Sequence, residues 1–148
     1  MSNVFQPSSI IGNGNSLVTI GDNGEIMSYF YPAIDHSQNI KQGMVAIYSD
    51  NNLNWTYENN FNTEQHYLPK TNILITECNR ADVSLKITDF MLEDEPIMVR
   101  HFIIKNVANC KRTGKIIQYL NIDIDDISNK NRDHIETLLK EISKVKVE

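Results

Sequence analysis

Only two cysteines, Cys78 and Cys110, occur in 148 residues. That is too few for a small domain stapled by disulfides, and the expected state is two reduced thiols. Basic residues are also scarce: 14 Lys and Arg against 19 Asp and Glu leave a formal net charge of -5. Phosphate backbones are held by clustered Lys and Arg, so nucleic acid is not an expected partner. Lys140, Lys144 and Lys146 near the end are interleaved with acids and form no basic stripe. No run approaches the ~20 apolar residues of a membrane span. The start, Met1-Ser2-Asn3-Val4-Phe5-Gln6-Pro7, lacks both the basic stretch and the long apolar run of a secretory signal. The expectation is a cytoplasmic chain with no membrane partner.

What is present points to a single domain. A chain of this length buries about two thirds of its unfolded surface and so owns a core. Its hydrophobic fraction of 41% and charged fraction of 22% are those of an ordinary globular protein. From Leu17 to Ile124 the apolar residues recur mostly with period two, which puts alternate side chains on one face of a sheet. Val83, Leu85 and Ile87 alternate with Ser84, Lys86 and Thr88; Leu120, Ile122 and Ile124 alternate with Asn121 and Asp123. Ile73-Leu74-Ile75-Thr76, and Ile97-Met98-Val99 continuing to Phe102-Ile103-Ile104, are apolar on both faces and predict strands covered on both sides. Gly21-Asp22-Asn23-Gly24 is the strongest hairpin signal, and Asp50-Asn51-Asn52, Asn59-Asn60, Asn79 to Asp82 and Asn109 to Gly114 mark further reversals. Short strands with tight turns predict an all-β fold, an antiparallel β-sandwich over residues 1–128.

After Asp126 the spacing changes. Ile135, Leu138, Leu139, Ile142 and Val145 fall on one stripe of a helix, Asp133 and Glu136 approximate a capping box, and Glu136 with Lys140 forms an i,i+4 pair. One C-terminal amphipathic α-helix over residues 129–148 is predicted, joined by the polar stretch Asp125 to Asn131 and packed on the sandwich.

Chemistry-bearing motifs are weak. Gly12-Asn13-Gly14 lacks the third glycine of a dinucleotide fingerprint, whose place Leu17 holds, and a strand-like run follows where a helix is needed. Asp123, Asp125, Asp126, Asn129 and Asn131 start like a calcium loop, but Ser128 stands at the glycine position and His134 at the closing glutamate. His36, His66, His101 and His134 have no zinc spacing, so neither metal nor cofactor is expected. Glycoside hydrolysis needs two carboxyl groups across the scissile bond. Glu77, Asp89, Glu93, Asp94 and Glu95 are available, yet no pair is singled out and no catalytic residue is assigned. Aromatic rings are the other route to sugar, because their faces cover the C–H faces of a pyranose. Trp55, Tyr29 and Tyr31 are the candidate substrate-binding residues, and Tyr57 shares a face with Trp55. The polar loop with Asp35, His36 and Gln38 is the candidate surface for a neighbouring domain.

An ordered set of segments resembles a known family. Ile11-Gly12-Asn13-Gly14 with Leu17-Val18-Thr19, Asp22-Asn23-Gly24, Tyr29-Phe30-Tyr31-Pro32, Trp55, Tyr67, Leu74-Ile75-Thr76-Glu77, Ile87-Thr88-Asp89-Phe90 and Val99-Arg100-His101-Phe102 with Lys105-Asn106-Val107 follow one another as in bacterial and archaeal glucoamylase-like enzymes of glycoside hydrolase family fifteen. The resemblance covers Ile10 to Ile124 and implies their amino-terminal super-β-sandwich, present here in part. In those enzymes an (α/α)6 barrel follows and carries the catalytic glutamates; nothing here matches it, and residues 129–148 do not resemble the family. The implied function is a non-catalytic scaffold, with a separate barrel chain, or a second copy joined through an open sheet edge, as partner. Two alternatives stand beside it: a carbohydrate-binding module for α-glucan, and a small glycosidase working through carboxylates such as Glu77 and Asp89.

Overall fold

Alternation sets the architecture. In β8 (Val83–Met91) Val83, Leu85, Ile87, Asp89 and Met91 point inward and are buried, while Ser84, Lys86, Thr88 and Phe90 face outward. A computed structural model describes residues 6–32 and 38–123, and among them there are ten strands and no helix. The helix expected over residues 129–148 lies outside the described residues, as do Asp35 and His36.

The other strands are β1 (Pro7–Gly12), β2 (Leu17–Gly21), β3 (Ile26–Phe30), β4 (Gln38–Ser49), β5 (Asn52–Trp55), β6 (Asn62–Tyr67), β7 (Leu74–Asn79), β9 (Met98–Asn106) and β10 (Gly114–Ile122). One sheet has the order β1-β2-β3-β4-β10 with β5 also on β4; the other has the order β6-β7-β8-β9. Every ladder is antiparallel. The fold is all-β and sandwich-like, because the two sheets bury their inner faces against each other. One apolar cluster joins Ile11, Val18, Ile20 and Ile26 of the first sheet to Leu74 and Met91 of the second. The other joins Val45 and Ile47 to Cys78, Val83, Leu85 and Ile87.

The turns follow from residues that tolerate positive φ. Between β2 and β3 the Gly24 N–H donates to the Gly21 carbonyl (3.1 Å), and Gly24 has φ 80°. Asn23 donates its N–H and its side-chain amide to the carboxylate of Glu25 (3.0 Å each), which is only 2% exposed. Between β4 and β5 the two loop residues Asp50 and Asn51 have φ 52° and 63°, the signature of a type I′ hairpin.

Two expectations change. The run through Phe102-Ile103-Ile104 was expected to be covered on both faces, yet Ile103 on the outer face of β9 is 40% exposed, and no described strand lies over it. Strand β6, Asn-Thr-Glu-Gln-His-Tyr, has no apolar alternation and was not expected at all. It is an edge strand, where polar side chains are tolerated and protect against unwanted pairing.

The two lateral sides of the sandwich differ. On the β1 and β6 side, Gln65 accepts from Ser8 and Ser9 (3.1 and 2.5 Å) and donates to the Gly21 carbonyl (3.1 Å). The Tyr67 hydroxyl donates to the Ile10 carbonyl (2.7 Å) and accepts from the Ile10 N–H (2.8 Å), and Asn72 donates to the Gly12 carbonyl. That edge is latched by side chains. On the other side β9 and β10, nine residues each, are paired along one edge only among the described residues.

Candidate functional site

A cluster of exposed apolar and aromatic side chains lies on the outer face of the first sheet at β5, β4 and β10. Val45 and Ile47 point into the core, so Met44, Ala46 and Tyr48 point out. Register then places Trp55, Ala46 and Ile117 in one row across the three strands, Leu53, Tyr48 and Lys115 in the next, and Met44 beside Tyr119. Leu53 is 42% exposed and Tyr119 46%, and Tyr48 and Ile117 are also exposed, whereas Ala46 between Trp55 and Ile117 is fully buried. Trp55 stacks on Tyr57, with ring centroids 6.0 Å apart and planes at 19°. Its backbone is fixed by Glu58, whose carboxylate accepts from the Trp55 N–H (3.2 Å), while the Glu58 N–H donates to the Trp55 carbonyl (3.1 Å). Amides fringe this end: Asn60 donates to Asn54 (3.3 Å) and Tyr48 donates to Asn51 (3.3 Å). The outer face of the second sheet is mixed: it carries Glu64, His66, Glu77, Lys86 and His101 together with Ile75, Phe90, Val99 and Ile103.

The other aromatic candidates sit elsewhere. A β-bulge between β2 and β3 breaks the period, so Ile26 and Tyr29 both face the core. The Tyr29 hydroxyl donates to the Pro96 carbonyl (2.6 Å), tying the first sheet to the turn between β8 and β9, and burial pushes its pKa up. Tyr31 follows the end of β3, half-buried, its N–H bonded to Asn39 (2.8 Å). Gln38 opens β4 and donates to the Met27 carbonyl (2.9 Å). Trp55, Tyr29 and Tyr31 are therefore not gathered on one surface.

Glu77 and Asp89 are separated as well, whereas Glu64 and Glu77 are cross-strand neighbours on the outer face of the second sheet. Asp89 is fully buried between the sheets and takes two hydrogen bonds from Arg100, which also donates to Gln118 on the opposite sheet (3.3 Å). Each of these three residues lies two positions from a member of either apolar cluster: Ile87 and Met91, Met98 and Phe102, Ile116 and Leu120. A polar seam thus divides the core. Glu77 lies on the outer face of the second sheet, 4.0 Å from Lys86. Glu77 and Asp89 sit on opposite faces of one sheet and cannot flank a single glycosidic bond. Glu93, Asp94 and Glu95 are exposed in the turn after β8.

No family model and no solved structure matches the chain. It is 31% identical over 117 residues to an uncharacterized glycosyl hydrolase of Methanocaldococcus jannaschii, an alignment that takes in 79% of this chain and 19% of that protein. The chain is glycoside-hydrolase-like. It spans about a fifth of the length of that relative.

Proposed function

We propose that this chain is the non-catalytic amino-terminal sandwich of a glucoamylase-like hydrolase of α-glucans, and that it serves as scaffold for a helical catalytic barrel. The observation that carries this reading is the alignment, which takes in most of this chain but only 19% of the glycosyl hydrolase it resembles. The placement of Glu77 and Asp89 on opposite faces of one sheet supports it, since that pair cannot flank one glycosidic bond. The edges of β9 and β10 that are unpaired among the described residues also support it, because such edges can accept further strands.

The test is co-expression with a glucoamylase-like barrel encoded in the same genome, followed by measurement of glucose released from maltoheptaose. Release that depends on both chains is expected. Release by this chain alone, or a barrel equally active without it, overturns the proposal.

A further inference from the structure

The apolar outer face of β5, β4 and β10 has a candidate occupant within the same chain. We propose that residues 135–145 lie across it as an amphipathic helix, with Ile135, Leu138, Leu139, Ile142 and Val145 set against Trp55, Tyr48, Leu53, Ile117 and Tyr119. This inference is independent of the hydrolase reading.

Three observations support it. First, β10 carries Ile117 and Tyr119 and is also the last described strand, so the chain leaves for the remaining residues from the edge of the face itself. Second, the lengths agree. Eleven helical residues span about 16 Å at 1.5 Å each, and the face from the Tyr119 row to the Tyr48 row covers four residues of strand, about 14 Å. The stretch 124–134 reaches at most ~36 Å, enough to turn back over the sheet. Third, the chemistry is complementary. The stripe is apolar over its whole length, and the face offers aliphatic and aromatic side chains, with Lys115 the single charged residue in its three rows. A large exposed apolar patch is unusual on a free surface, and a helix laid on a sheet is one of the ordinary ways to bury it.

Trp55 is the one tryptophan of the chain and sits in the face, so it reports directly. In the 148-residue chain, Ser143→Cys flanks the stripe and takes a nitroxide label once Cys110 is replaced by Ser, because Cys78 is buried. Trp55 emission several-fold below that of a diamagnetically labelled control is expected; equal emission overturns the proposal. The double substitution Leu138→Asp with Leu139→Asp should shift Trp55 emission to the red and raise its quenching by acrylamide about threefold, with the strand signature in circular dichroism kept. Unchanged emission and quenching in that folded variant overturns it. Should the double variant not fold, the nitroxide comparison decides. Mixing the labelled chain carrying Trp55→Phe with unlabelled chain separates a second copy from the chain's own tail: quenching in the mixture overturns the intramolecular placement.

Discussion

The guanidinium of Arg100 and the carboxylate of Asp89 meet side by side in the interior, Nε to Oδ1 at 2.7 Å and Nη2 to Oδ2 at 2.8 Å, on directly opposed residues of β9 and β8. Removing one partner of a buried pair leaves the other charge uncompensated, at about 3–5 kcal/mol. Arg100→Leu should therefore lower the free energy of unfolding by that amount, measured by urea denaturation. Asp89→Leu combined with Arg100→Leu should recover more than half of it, since two apolar groups restore a dry interior.

Gly24 closes the turn between β2 and β3 at φ 80°, and a Cβ there would stand 2.8 Å from Cδ1 of Ile87. Left-handed backbone costs an L-residue roughly 1–2 kcal/mol. Gly24→Ala should cost at least about that much, with the contact on Ile87 adding to it, and a lower melting temperature reads it out.

The two thiols should behave differently. Burial pushes the Cys78 pKa up to about 11, while Cys110 is exposed in the loop before β10. The thiolate is the reactive form. At about pH 8 an aromatic disulfide reagent should titrate one thiol per chain quickly and the second only in denaturant, and Cys110→Ser should remove the fast phase.

Acid should weaken the end of the sandwich where three turns meet. Asp82 accepts from Arg80 (2.5 and 2.9 Å) and from Arg112 (3.1 Å), which also pairs with Asp50; the Arg80 hydrogen bonds are the main cause that holds the Asp82 carboxyl below its ordinary value. A carboxyl with a depressed folded-state pKa contributes stability that is present above the unfolded value, about 3.9, and is lost as pH falls through the folded value. Urea midpoints of the wild type should fall as pH drops through and below that range. Asp82→Asn should start lower at neutral pH, show a shallower decline, and converge with the wild type in acid.

Much of the fold is legible in the sequence because alternation is a backbone property. The pattern Val83, Leu85, Ile87 marks β8, Gly21 to Gly24 is a hairpin turn, and Asp50-Asn51 supplies two residues that accept positive φ. The same alternation puts Asp89 on the inner face, but its partner Arg100 emerges only with the register of β8 and β9. Tyr29 and Tyr31 look equivalent by period two, and a bulge that sequence does not announce turns Tyr29 into the core. Strand β6 is hidden because an edge strand tied through Gln65 and Tyr67 needs no apolar period. The outer face around Trp55 appears only when β5, β4 and β10, distant in sequence, are set side by side.

The most direct measurement is glucose release from maltoheptaose by the purified 148-residue chain alone, followed over hours at high protein concentration. A rate no higher than buffer is the result that the proposed scaffold role predicts. Turnover that is lost in one folded carboxylate variant, such as Glu77→Gln, would contradict it.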